Sequence, residues 1–444
     1  MKNKLAILGG EKVCKKPIKN SPHIDRNDIK VVKNLMKNGR FSRFVGSPIP
    51  GTYEDLYKKS KDLIIDLNDD AYSFLGGAYI RAFEARNSEL VNCDYAISVN
   101  SATSALVTAL LALDLAPSSS VLTTPYSFSA TAAAIRLANL QPIFCDLDIE
   151  TFNICPKELE RILKTQSVDC VLYVHWCGNA GDFDKIVDIC KSNDILLVED
   201  AAQAPVTLYK DKYLGTYGDI GVFSFNEPKN FMTGEGGMII TNNQKYAVRS
   251  RLIRNHGEAI IDDTFNESLI KNAFGHNFRL TEIQASIGLN QLNKIEKLNG
   301  LRNNNYKLLL KKIESLETTY IKPQRITHLE TYYAYTAAFR WDSIQSGVHR
   351  DIFCKALLEE GVPVFTGYPT LMSQQRLHKE YSNTKNTANA IDLNENQFFG
   401  FLCLGYPNGK KQIELIYKSI CKVLDNLEEI KDISLKDEYI SLGR

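Results

Sequence analysis

From about residue 95 to 245 the chain alternates short apolar runs with longer stretches in which apolar residues recur at helical spacing. The runs are YAISV (95–99), SVLTTP (120–125), QPIFCDL (141–147), DCVLYVH (169–175), ILLVED (195–200), GVFSF (221–225) and GMIITN (237–242). Between them lie SALVTALLALDL (104–115), SATAAAIRLANL (129–140), CPKELERILKT (155–165) and DFDKIVDICKSN (182–193). Continuous apolar strands separated by helices predict an α/β domain with a mostly parallel central sheet covered on both faces. Its ligand is expected beyond the carboxyl ends of the strands. The stretch 280–316 carries helical spacing throughout and reads as long helix joining two domains. After it, strand-like YYAYTAAFRW (332–341) and amphipathic HRDIFCKALLEEG (349–361) predict a smaller α+β domain. The first 100 residues or so are less regular: RNDIKVVKNLMKNG (26–39) reads as helix and VGSPIPGTYEDLY (45–57) as turns. The expected division is residues 1–300 for the N-terminal segment and large domain, and 301–444 for the smaller one.

A chain of 444 residues is long enough to exceed the size at which one hydrophobic core stops growing. With 44% hydrophobic residues, 24% charged residues and a net charge of +1, it has the composition of an ordinary soluble globular protein. No charge imbalance points to nucleic acid or membrane as a partner. MKNKLAILGGEKV has too short an apolar stretch for a signal-peptide core, and no run reaches membrane-spanning length, so a cytoplasmic location is expected. Ten cysteines are scattered singly without a C-x-x-C pair, so no metal site is expected. Cys145, Cys170 and Cys403 lie in apolar runs, where a reduced thiol acts as a small hydrophobe.

Three stretches carry candidate chemistry. ILLVEDAAQA (195–204) delivers Glu199 and Asp200 to the end of a buried strand, where Asp200 can pair with a cationic ring nitrogen; alone, such a pair equally caps a helix. In VNSATSALVTALLAL (99–113) a strand runs into a helix through Ser101, Ala102 and Thr103, a geometry suited to a phosphate but also to ordinary capping. SFNEPKNFMTGEGG (224–237) sets Lys229 between an aromatic stretch and a glycine cluster that lets backbone approach a ligand, with Ser224 as a further phosphate ligand. Most loop lysines are merely solvated. Their combination is more informative: a phosphate turn at 101–103, an aromatic at Phe128, an acid at Asp200 with Gln203 nearby, and an amine at Lys229 supply each contact that pyridoxal 5'-phosphate requires. No G-x-G-x-x-G follows the first strand, which excludes a dinucleotide fingerprint.

The chain strongly resembles the DegT/DnrJ/EryC1/StrS family of sugar aminotransferases, pyridoxal-phosphate enzymes of fold type I. The resemblance runs through GRFS (39–42), YIRAFEARNSELVNCDYAISVNSATSAL (79–106), VEDAAQA (198–204), SFNEPKNFMTGEGG (224–237), RNHG (254–257) and HNFRLTEIQASIGLNQL (276–292). It implies that Lys229 bonds to the cofactor carbonyl and Asp200 pairs with its ring nitrogen. Gln203 is then expected at the ring's phenolic oxygen, Phe128 stacked on the ring, and Ala102, Thr103 and Ser224 on the phosphate. Asn277 is implied to reach the cofactor phosphate of a neighbouring subunit, making a homodimer with shared sites the expected unit; Arg279 belongs to the same motif. The implied reaction moves an amino group from L-glutamate or L-glutamine to a keto-sugar. Competing expectations are amination of a keto-cyclitol, a non-catalytic regulator of the same fold, and a sugar dehydratase. The dehydratases resemble this family but carry histidine at the lysine position, and Lys229 argues against that reading. Three features depart from the family pattern: Ala102 stands where glycine is frequent, Asn226 where histidine is frequent, and residues 47–78 are longer than the usual connection.

Overall fold

The computed structural model describes residues 4–45, 53–63, 66–68, 72–257, 274–382 and 386–433. Its main sheet contains β1 (Tyr95–Val99), β2 (Ser120–Thr123), β3 (Gln141–Phe144), β4 (Cys170–Val174), β5 (Leu196–Asp200), β8 (Ile220–Ser224) and β9 (Gly237–Thr241). The spatial order is β1-β9-β8-β5-β4-β2-β3. Pairings from β3 through β8 are parallel, and β9 runs antiparallel between β8 and β1. A short hairpin, β6 (Leu208–Tyr209) and β7 (Lys212–Tyr213), stands apart from it. The expected α/β fold with a mostly parallel sheet is therefore present, and every predicted strand forms.

Among the described residues the helices of eight or more residues cover both faces of this sheet or pack beyond it. They are α1 (Arg26–Asn38), α2 (Ala78–Leu90), α3 (Ala102–Ala112), α4 (Ala130–Leu137), α5 (Pro156–Leu163), α6 (Phe183–Ser192), α7 (Gln244–Arg254), α8 (Glu282–Leu292), α9 (Ile295–Glu314), α10 (Arg350–Glu359) and α11 (Lys410–Asp425). One face of the sheet buries Ile80 and Phe83 of α2, Leu159 of α5, and Phe183 and Ile186 of α6. On the other lie Leu106 and Leu110 of α3, Ile135 of α4, and Ala247 and Ile253 of α7. Burial on both faces explains why these strands read as unbroken apolar runs.

The predicted long helix over 280–316 is two helices. It breaks at Asn293 and Lys294, where Lys294 turns in to meet Asp25 (2.9 Å) and Asp28 (2.6 Å) at the start of α1. The ion pairs favour the bend over a continuous helix. Residue 300 falls inside α9, which begins in the large core at Ile295 and continues into the smaller core with Tyr306, Leu309 and Ile313.

The smaller core packs α9, α10 and α11 around an antiparallel sheet of β10 (Ile321–Pro323), β11 (Ala337–Trp341) and β12 (Phe398–Phe401). Trp341 stacks on Phe353 with ring centroids 3.9 Å apart. The N-terminal segment, expected with the large domain, instead buries Leu5, Cys14 and Ile18 in this smaller core. Glu360 holds it there, accepting from Ala6 N (2.8 Å) and Val13 N (3.0 Å) while pairing with Lys422 (2.8 Å). Of the 47–78 stretch, residues 47–52, 64–65 and 69–71 lie outside the described residues. The remainder lies against α7: Leu56, Leu63, Phe74 and Leu75 pack on Val248 and Leu252, and Arg251 donates to the Lys58 carbonyl (3.0 Å).

Arg254 of α7 and Glu84 of α2 form a fully buried ion pair, and Glu84 also accepts from Ser98 N (2.9 Å) and Ser98 Oγ (2.8 Å) in β1. Removing one partner strands the other charge in the core. Glu84→Ala is expected to lower the unfolding free energy by about 3–5 kcal/mol, read from the shift in a chemical denaturation midpoint.

Candidate active site

The sheet register brings the candidate residues to one edge. Val99 at the end of β1 and Ser224 at the end of β8 both face Gly237 at the start of β9, and Asp200 at the end of β5 pairs with Val222 of β8. The turn into α3, the segment after β8 and the acid of β5 therefore meet at the carboxyl edge, where parallel sheets place their ligands. Gly237 makes close passage possible: a Cβ there would lie 2.5 Å from the Ser101 carbonyl oxygen and 2.8 Å from Ala102 N.

Lys229 rides a tight loop from Phe225 to Gly236. Phe225 N donates to Gly236 O (2.9 Å), Thr233 N to Phe225 O (2.8 Å), Glu227 N to Gly234 O (2.9 Å) and Lys229 N to Asn226 O (2.9 Å). Gly234 takes φ +86°, a conformation that costs a side-chain-bearing residue. Asn226, the position that departs from the family pattern, closes this loop by donating to Glu235 Oε1 (2.8 Å). The Lys229 amine lies half-buried, 4.3 Å from the centroid of the Tyr335 ring.

Asp200 is buried and receives Thr131 Oγ1 (3.1 Å) on one oxygen and Ala202 N (3.1 Å) on the other. Burial pushes its carboxyl above the ordinary carboxylate range; the Ala202 N–H, the Lys229 charge and the Thr131 hydroxyl oppose the shift without cancelling it. Glu199, its neighbour in β5, accepts from Gly215 N, Tyr217 N and Gly218 N and from His175 Nε2, so its charge is spent inside the fold. Gln203 is buried, its Oε1 accepting from Cys177 N (2.7 Å) and its side chain meeting the Tyr368 hydroxyl. Tyr368 also accepts from Trp176 Nε1 (3.3 Å).

Ser101 caps α3, accepting from Ser104 N (3.1 Å), and Ala102 and Thr103 form the first turn of the helix. Their N–H groups are among those that a helix leaves without internal acceptors, which with the helix dipole makes an anion seat. Ser224 is buried at the end of β8. Phe128 is 56% exposed in the segment after β2, offering an uncovered ring at the same edge. Asn277 is exposed; its Oδ1 accepts from Arg279 Nε (2.9 Å), and Arg279 Nη1 reaches Asn255 Oδ1 (3.1 Å). Among the described residues no group of three or more His, Cys, Asp or Glu side chains is placed to hold a metal, and no helix is long and apolar enough to cross a membrane.

Sequence reasoning missed Thr131, Cys177, Tyr335 and Tyr368. Thr131 was open to detection, because it follows Phe128 by three residues in the helix that Phe128 precedes. The others come from segments without a motif, brought in by the fold.

A buried acid, an amine and a helix N-terminus converging on one strand edge, with an open aromatic ring beside them, form a donor set that fits pyridoxal phosphate: one group each for ring nitrogen, carbonyl, phosphate and ring face. The class so defined is a pyridoxal-phosphate aminotransferase of the α/β type. The chain belongs to the DegT/DnrJ/EryC1/StrS aminotransferase family, whose model matches residues 58–399. It is 33% identical over 280 residues to GDP-perosamine synthase of Escherichia coli O157:H7, covering 63% of this chain and 75% of that protein. A putative L-glutamine:3-amino-2,3-dideoxy-scyllo-inosose aminotransferase of Streptoalloteichus tenebrarius is 27% identical over 377 residues, covering 84% of this chain and 82% of that one. The crystal structure of DesI with its TDP-sugar product superposes with a TM-score of 0.78 at 20% identity, over 96% of this chain and 97% of that one.

The raised Asp200 carboxyl has a consequence for the protein freed of cofactor. Below the unfolded carboxylate pKa of about 3.9 the group is neutral in both states and contributes nothing to a pH dependence. Above its raised folded pKa it is ionised in both, and burying the charge costs stability. Asp200→Asn is therefore expected to gain in thermal stability relative to wild type as pH rises from about 4 to 7, with the order reversed when pyridoxal phosphate is added. Differential scanning calorimetry across that range checks the sign.

Proposed function

We propose that this aminotransferase acts on a nucleotide-linked keto-sugar, taking the amino group from L-glutamate or L-glutamine. The observation that carries the reading is that the sheet brings the buried Asp200 carboxyl and the Lys229 loop to the one edge where α3 presents its N-terminus. The sugar as acceptor is supported by the names of the relatives, which include GDP-perosamine synthase.

In this reading Lys229 bonds to the cofactor carbonyl and Asp200 to the ring nitrogen. Gln203 approaches the phenolic oxygen, held in orientation by Cys177 N and Tyr368. Phe128 covers the ring, and Ser101, Ala102, Thr103 and Ser224 hold the phosphate. Pyridoxal phosphate, when bound, supplies an electron sink for the carbon that loses its proton. The residues do the rest. Asp200, ionised, keeps the ring nitrogen protonated and so keeps that sink deep. Lys229 Nζ, freed from the cofactor carbonyl, would take the proton from the donor's α-carbon and deliver it to the cofactor's former carbonyl carbon; with the acceptor it would carry a proton in the reverse direction. The exposed Asn277 is available to a second copy of the chain, and we infer a homodimer in which it completes the partner's phosphate site. We further place the enzyme in the cytoplasm, with its domain division near residue 300 and the N-terminal segment attached to the smaller domain.

Wild-type protein with pyridoxal phosphate is expected to absorb near about 410 nm and to shift toward about 330 nm on adding L-glutamate. Lys229→Ala should lose both the band and turnover. Steady-state transamination by that variant would overturn the assignment, and activity on keto-cyclitols but not on nucleotide-linked keto-sugars would overturn the choice of acceptor.

A further inference from the structure

We propose that Tyr335 is a positioning residue for Lys229, its ring face serving as the seat of the amine whenever that amine is not bonded to a ligand. The proposal rests on the role of Lys229 given above. Tyr335 belongs to a strap, residues 332–336, that leads into β11 of the smaller sheet. The sequence pattern marked this stretch only as strand-like.

The strap is fastened on both sides of the lysine. Asn230, next to Lys229, donates from Nδ2 to Tyr333 O (2.9 Å), and Tyr335 N lies within a long hydrogen bond of Cys177 O (3.4 Å). Cys177 takes φ 56°, in the left-handed region, and it is the same residue whose N–H orients Gln203. From behind, Asn303 of α9 donates to Tyr332 O (2.6 Å), and Tyr332 packs edge-on against Tyr306 at 4.9 Å. With its backbone pinned at these points, the Tyr335 ring presents its face to Lys229 Nζ at 4.3 Å, inside the range of about 6 Å over which a ring quadrupole attracts a cation.

The groups that face this pair are few. Asp200 of β5 and Cys177 of the segment after β4 lie within electrostatic range of the amine without an ion pair to it, and Arg302 and Tyr368 lie within that range of the Tyr335 side chain. Asp200 gives its two oxygens to Thr131 Oγ1 and Ala202 N and forms no ion pair with the amine, and Cys177 is a buried thiol held neutral. The aromatic face is thus left to hold a displaced ammonium close to where it must act. A face, not the hydroxyl, does this, so phenylalanine should substitute for tyrosine.

The test is the chemical reactivity of Lys229 in full-length protein freed of cofactor, measured by reductive methylation with formaldehyde and peptide mass spectrometry, with exposed Lys157 as internal reference. An ammonium held over a ring is ordered and shielded from reagent on that side. Tyr335→Leu is expected to speed Lys229 methylation by about threefold or more, and Tyr335→Phe to stay within about twofold of wild type. A leucine variant that labels at the wild-type rate, or a phenylalanine variant that labels as fast as leucine, would sink the proposal. Should the leucine variant not fold, Tyr335→Met carries the same expectation. The absorbance band of wild-type protein reports separately on whether Lys229 bonds to the cofactor, so the two readings can fail independently.

Discussion

Alternation along β5 is the constraint on which the site depends. Successive residues of a strand point to opposite faces, so Glu199 and Asp200, adjacent in sequence, enter different surroundings. Glu199 turns to three backbone N–H groups and His175, and its charge becomes part of the scaffold that orders residues 215–218. Asp200 turns to the edge, where one hydroxyl and one N–H leave it short of compensation for its burial. A carboxylate kept so is costly alone and useful beside a cationic ring. The parallel sheet makes this possible, because it delivers the acid, the lysine loop and the helix N-terminus to the same edge without any of them being near in sequence.

The second requirement is that the two cores hold still against each other. A cluster between them joins Tyr126, Phe152, Trp176 and Cys177 of the large domain to Ala338, Leu371, Leu393 and Phe398 of the smaller one. Tyr126, Trp176 and Phe398 meet at ring-centroid distances between 5.1 and 6.1 Å in tilted and edge-on contacts. Trp176 thus serves both as packing and, through Nε1, as the donor that fixes Tyr368 beside Gln203. The orientation of the Gln203 amide is set by the way the two cores pack.

Legibility in the sequence followed the range of the interactions. Strands buried on both faces announce themselves as apolar runs, and each run quoted forms a strand. Asp200 and Ser224 end strands and Gln203 and Lys229 follow within five residues, so finding the strand finds the residue. Tyr335 and Tyr368 could not be found that way, since each reaches the site from a segment more than 100 residues beyond Lys229 and its role depends on how the smaller core docks. The break at Asn293 was hidden for a similar reason: helical spacing continues through it, and the ion pairs that Lys294 makes there reach Asp25 and Asp28, far away in sequence. The attachment of residues 5–18 to the smaller core rests on Glu360, a partner separated from Ala6 by 354 positions, which no local pattern reveals.

That last contact bears on how the chain is made. Residues emerging from a ribosome can fold only against what has already emerged. The large α/β core has its strands within one continuous stretch and can collapse as soon as that stretch is out. Leu5, Cys14 and Ile18 have no such opportunity: their neighbours in α10 and α11 emerge more than 300 residues later. The N-terminal segment therefore waits, unsatisfied, until α10 and α11 have emerged, and the smaller core cannot be completed before then.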